Sequence, residues 1–331
     1  MKTKLALYKK IIRENSMCEE LFLHDSHKES YTYDLSEEIA NVTLELKKKP
    51  CRSKAFVLDG LLKAASEDYA GAIIKYSKAI WVNPGLVDAW FYRAGAHSRL
   101  DHCVEMDYDY KKTILLDPDN FKIKFNHGVS NAHLWDFSRA LIDYNDVIAR
   151  DPGVAQFYAY RGWAKSMLDD HSGALNDYNR AVELDSLIRI FHCGRGFARL
   201  VTGDFKGAIE DLDIDVTNNP QKNEIWFNRG VARLAIEDYS GAIDDFDRAL
   251  LTRSLIEYAC PLKGFALFQL DDFQGALSAF QTKLEVYSND PKAWFGKGMT
   301  KLALGDKCGY ADLVKSGELG FKKAFEIIKV V

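Results

Sequence analysis

The 331-residue chain is 47% hydrophobic and 28% charged, the composition of a soluble folded protein able to bury a large core. A net charge of −4 leaves no summed positive potential for gripping a phosphate backbone, which argues against nucleic acid as a partner. Six scattered cysteines without a CxxC pair suit reduced thiols in a cytoplasmic protein better than a disulfide framework or a zinc site.

In chain order, the opening MKTKLALYKKIIREN has only a short apolar run before Tyr8 and two lysines. It is too short and too charged for a signal-peptide core, and no later segment approaches a membrane span. The chain therefore reads as soluble, without a membrane partner and without general secretion. Leu35, Ile39, Val42 and Leu46 recur at helical spacing ahead of Pro50, which predicts a helix. The segment before it, EELFLHDSHKESYT, carries no such pattern. Residues 1–52 are thus expected to be a mobile arm and a degenerate capping helix, with a docking element for a partner as the alternative.

From residue 53 the chain repeats itself. Gly60, Ala94, Gly128, Gly162, Gly196, Gly230, Gly264 and Gly298 form one column of small residues at a step of 34. Ala72, Ala140, Ala174, Ala208, Ala242 and Ala276 form a second, broken only by Met106. Pro50, Pro84, Pro118, Pro152 and Pro220 form a third, with Ser186 and Ser254 at its two gaps. Each unit reads as two helices. In residues 155–188, Tyr158, Gly162 and Lys165 lie at helical spacing, DDHSG breaks the run, and Ala174, Tyr178, Ala181 and Val182 share the next face. Small residues let two antiparallel helices cross closely, so Ala174 is expected to face Gly162. One such hairpin cannot bury its apolar side alone, and neighbours must stack.

These columns resemble the tetratricopeptide repeat (TPR) family of 34-residue helical hairpins. Its aromatic at position 4 appears as Phe56, Trp90, Tyr158, Trp226 and Trp294, with Lys124, His192 and Cys260 departing from it. The resemblance implies an all-α, right-handed superhelical solenoid of tandem helix-turn-helix hairpins. Seven units are expected over residues 53–290, followed over residues 291–331 by a capping hairpin, one residue short before Leu313, and a helix.

Position 7 carries Arg93, Arg161, Arg195 and Arg229, and sixteen residues later stand Asp109, Asp177, Asp211 and Asp245. The first unit reverses the pair as Asp59 and Lys75, and the third offers His127 and Asp143. The swap predicts structural charge pairs between the two helices of a hairpin. The histidines occupy different repeat positions without an HxxxH or HExxH pair, and His24 and His27 have no third ligand in view. No metal site, no cofactor and no catalytic residue is therefore expected, the sequence also lacking GxxxxGK[ST] and GxSxG.

By the resemblance, first helices line a concave groove. The residues this carries over are Phe91, Tyr92, Arg99, Phe125, Asn126, His133, Tyr160, Trp163, Phe197, Phe227 and Asn228, with Phe265 beside them. Aromatics with Asn and Arg are the usual chemistry of interface hot spots. The alternative for a single ring is that it fills the gap between neighbouring helices. Relatives that clamp the C-terminal tails of chaperones carry Lys at position 5 and Asn at 9. Here those positions hold Val57 and Leu61, Phe91 and Gly95, Phe125 and Val129, which argues against that ligand. The sequence reads as a non-catalytic scaffold or adaptor binding a protein segment or peptide. The alternatives are a self-assembling structural protein, or a secreted effector that tethers host proteins.

Overall fold

A computed structural model describes residues 35–185 and 189–328, without the side chains of 189–191 and 218. Among these residues there is no strand. They fall into two compact units that part between Phe191 and His192. The expected N-terminal arm, with His24 and His27, lies outside the described residues.

The first unit starts with α1 (Leu35–Lys48) and continues as four hairpins. They are α2 (Arg52–Ala65) with α3 (Tyr69–Val82), α4 (Val87–Ser98) with α5 (Cys103–Leu116), α6 (Phe121–His133) with α7 (Phe137–Arg150), and α8 (Ala155–Met167) with α9 (His171–Leu184). The second unit takes up α10 (Arg189–Thr202) from His192 and pairs it with α11 (Phe205–Asn218). After it come α12 (Asn223–Ala235) with α13 (Tyr239–Ala249), a 3-10 turn at Arg253–Leu255, and α14 (Ile256–Gln269) with α15 (Phe273–Val286). The chain closes with α16 (Pro291–Ala303), α17 (Gly309–Glu318) and the short α18 (Lys323–Ile328).

The small-residue columns set the crossings. A Cβ on Gly162 would lie 3.2 Å from the carbonyl oxygen of Ala174, and the alanines at 72, 140, 174, 208, 242 and 276 are fully buried. Tyr76, Tyr110, Tyr144 and Tyr178 fill the space beside them, each almost wholly enclosed. In the second unit one core joins Phe197, Leu200, Phe227, Val231, Phe246 and Leu255.

Six of the eight second helices begin on a side-chain cap, α5 and α17 being the exceptions. Asp68, Asp136, Asp170, Asp204, Asp238 and Asp272 accept from the backbone N–H three residues on, at 2.8–3.1 Å. Immediately before each of these aspartates, and at the equivalent places before His102 and Asp306, the backbone turns left-handed, at Glu67, Asp101, Trp135, Asp169, Gly203, Glu237, Asp271 and Gly305. Only two of these eight are glycine, so six side chains carry a conformation that costs them roughly 1 kcal/mol. Glu67 is exposed at φ 60°. Glu67→Gly is expected to stabilise the first hairpin by about 0.5–1 kcal/mol, read as slower amide exchange in α2 and α3.

A latch joins successive hairpins. The indoles of Trp90 and Trp226 donate to the carbonyls of Pro84 and Pro220 at 2.9 Å, and that of Trp294 to Ser288 at 2.7 Å. Each proline both stops the preceding helix and leaves its carbonyl turned toward the next one. Over the same rings sit Arg93, Arg229 and Lys297, at 4.8, 4.7 and 4.4 Å from the centroids.

Candidate protein-docking site

The first helices also carry the charged residues singled out in the sequence. Arg93 grips Asp109 with two parallel hydrogen bonds, both 2.7 Å, and Arg161 grips Asp177 at 2.9 and 2.6 Å. Arg195 reaches Asp211 at 2.9 and 2.6 Å, and Arg229 reaches Asp245 at 3.0 and 2.6 Å. Lys75 donates to Asp59 and His127 meets Asp143, both at 2.8 Å. Planar guanidinium and carboxylate groups match in this bidentate form, which fixes the rotation of one helix against the other.

Two further partners were not singled out. A second cation, one helical turn after position 7, closes on the same aspartate: Lys165 on Asp177 at 2.7 Å, Arg199 on Asp211 at 2.8 Å and Arg233 on Asp245 at 3.0 Å. The position-7 arginine also reaches back to the second helix of the preceding hairpin. Arg93 donates to Ser77 at 3.0 Å, Arg161 to Asn145 at 2.8 Å and Arg229 to Asp213 at 2.7 Å. Each of these three arginines therefore ties its own hairpin to the one before. The cue in the sequence is a polar acceptor sixteen residues upstream of each.

The second cation changes what a charge swap should do. Asp177→Arg combined with Arg161→Asp would bring the new guanidinium against Lys165. The double reversal is expected to recover less than half of the roughly 3 kcal/mol lost in either single reversal. Adding Lys165→Gln should recover most of it, as judged by chemical denaturation. The first hairpin already follows this rule, because its equivalent Lys63 turns away to Asp68 at 2.9 Å.

The aromatic residues expected to line a groove are mostly interior. Phe91, Tyr92, Asn126, Tyr160, Trp163, Phe197, Phe227 and Asn228 are all buried, while Phe125 and His133 are half-buried. Phe125 packs 5.0 Å from Phe157 and 5.1 Å edge-on to Tyr160, Phe137 stacks edge-on to Trp163 at 5.3 Å, and Phe227 lies 6.1 Å from Phe246. These rings fill the space where first helices meet one another and their second helices, so the expected aromatic lining is corrected to an aromatic interior. Asn126 spends its amide on the Lys122 carbonyl at 2.8 Å. Arg99 and Phe265 are exposed, and Arg99 lies 5.9 Å over the Tyr69 ring.

On top of this interior lies α1. Its Glu38 accepts from the Tyr92 hydroxyl at 2.6 Å and faces Lys122 at 3.4 Å, while Glu45 meets Lys54. Leu35 enters a small cleft with Tyr92, Gly95, Ala96 and Arg99. The helix thus runs across the exposed sides of α2, α4 and α6 instead of simply capping the end of α2. Elsewhere in the first unit, large apolar side chains reach solvent on the second helices, at Ile74, Trp81, Val104, Tyr108, Leu115 and Ile142.

Hairpins at a 34-residue step, each closed on a small-residue crossing, are the geometry against which known proteins were compared. A family model described as tetratricopeptide repeat matches residues 193–255. A tetratricopeptide repeat protein from Parabacteroides merdae superposes with a TM-score of 0.53 at 14% identity, over 75% of this chain and 98% of that one. YrrB, described as a TPR protein with an unusual peptide-binding site, gives 0.51 at 20% identity, over 56% of this chain and 97% of that one. The chain has the TPR fold, and its residues 193–255 match the family's model. No curated protein matches it.

In TPR terms, the buried rings belong to positions 5, 6 and 9, and the outer ladder of Ile74, Tyr108 and Ile142 is position 22 of three successive repeats. Among the described residues, no three His, Cys, Asp or Glu side chains gather as a metal site, and no helix is long and apolar enough to cross a membrane.

Proposed function

We propose that the protein is a non-catalytic interaction scaffold that receives an amphipathic helix of a protein partner across the first helices of residues 52–133. The observation that carries this reading is α1, which lies there as a helix on side chains of three successive first helices. A helix laid in a surface of this kind anchors through residues at i, i+3, i+4 and i+7. The buried aromatic layer beneath gives that surface a rigid floor, while Arg99, Lys122 and Lys54 supply its polar rim.

A second reading rests on the outer ladder, where Trp81 is 81% exposed and Leu115 75%. Contiguous apolar side chains of this size mark an interaction surface, and two copies of the chain could share it. Crosslinking mass spectrometry on captured complexes separates the two. Lys122→Glu is expected to remove crosslinks and capture, while Trp81→Ser with Leu115→Ser leaves both intact. The opposite pattern would move the site to the outer face.

A further inference from the structure

The manner in which α1 is held describes the partner, on the strength of the docking face proposed above. Leu35, Glu38, Ile39, Val42 and Leu46 fall on one stripe of the helix, with Glu37, Ala40, Asn41 and Leu44 on the exposed side. Of the whole helix only Val42 is buried; the rest of the stripe stays half-exposed. An element held by so little apolar burial opens at low free energy. Its charge is complementary to what lies beneath. Glu38 meets the Tyr92 hydroxyl and Lys122, and the more exposed Glu45 meets Lys54. The receiving face carries one acid near them, Asp88 in the first turn of α4, and Lys54 and Lys122 offset its charge.

We infer that this face is built for an acidic amphipathic helix, and that α1 is its internal competitor. The partner helix presents an apolar residue, a carboxylate three positions later and further apolar residues after it, as in Leu35, Glu38, Ile39 and Val42. It seats its carboxylate on Tyr92 and Lys122. While α1 is docked, the face is closed to the partner, so apparent affinity falls by the fraction of molecules in which α1 has left. Loosening α1 raises affinity without altering a single residue of the face.

The test uses a fluorescent peptide spanning residues 34–49, titrated by anisotropy into the full chain. Weak binding to the wild-type chain is expected. Binding to a Val42→Asp chain, whose own α1 no longer docks, should be about tenfold tighter. Glu38→Lys in the chain should release α1 equally and guards against a packing defect in the first variant. In either background, Lys122→Glu should weaken the peptide about tenfold, and a peptide carrying Glu38→Lys should bind the Lys122→Glu chain better than the unaltered peptide does. Equal binding to wild-type and released chains, or indifference to Lys122→Glu, overturns the inference. So does a mass that rises with concentration in the wild-type chain without any peptide effect, which would give the face to a second copy. If the peptide fails but partner capture still depends on Lys122, the docking reading stands and only the competitor is lost. If capture is also indifferent to Lys122, the docking reading falls with it.

Discussion

A Lys283→Met chain is expected to lose about 3 kcal/mol of stability in its last hairpins, and Pro261→Ala to return about 1 kcal/mol of that loss. Lys283 stands in a column whose other members include Ala79, Ala181 and Ala249, and only 1% of it is exposed. The reason for an ammonium there lies in α14. Pro261 sits inside that helix without an N–H, so the Glu257 carbonyl four residues earlier has no intrahelical donor. Lys283 donates to that carbonyl at 2.9 Å, faces Asp290 at 3.4 Å and lies 4.0 Å over the Tyr287 ring. Methionine keeps the volume and removes the donor, leaving a buried carbonyl unpaired. Alanine at 261 restores the backbone N–H, and the carbonyl no longer needs the lysine. Amide exchange across residues 256–290 in the four chains of this double-mutant cycle measures the coupling. Strict additivity would show that Pro261 and Lys283 are unrelated.

Gly309→Ala is expected to be nearly as damaging, at about 2–3 kcal/mol, with the loss confined to α16, α17 and α18. The eighth hairpin is one residue short before Leu313, and its second helix starts closer to its first. A Cβ on Gly309 would lie 2.5 Å from the Gly298 carbonyl oxygen and 3.1 Å from the Leu302 backbone nitrogen. Both obstacles are main chain, so the side chain cannot be accommodated by a rotamer change. The alanines of the equivalent column in earlier hairpins face a wider crossing, as at Ala174. Thermal melting followed at Trp294 should show an early transition in the variant. A melt unchanged from wild type would mean the hairpin opens without cost.

The hairpins were legible in the sequence because each contains its own crossing. Gly162 and Ala174 are only twelve residues apart, and their columns recur without a break in register. The sixteen-residue separation of arginine and aspartate was equally local, and the inverted Asp59 and Lys75 pointed to contact between those positions. The second cation escaped notice because its column mixes Lys63, His97, Asn131, Lys165, Arg199 and Arg233. The left-handed turns were hidden for a related reason, since Glu67, Asp101 and Trp135 do not advertise a positive φ as glycine does. The fate of the aromatics was not legible at all. Whether Phe125 meets solvent or Tyr160 depends on how closely α6 and α8 approach, and no single hairpin encodes that distance. The position of α1 is the extreme case, resting on contacts 54 and 84 residues away.

The arginines that reach both ways have a bearing on how the chain is made. Arg161 is bonded to Asn145, sixteen residues before it, and to Asp177, sixteen residues after it. Arg93 and Arg229 divide their bonds in the same way. During synthesis each of these guanidiniums leaves the ribosome when its upstream acceptor has already folded and its downstream one does not yet exist. The new first helix can therefore dock on finished structure before its own hairpin closes. Construction proceeds like a wall laid course by course, and only α1 has to wait for distant segments, α4 and α6, before its contacts are complete.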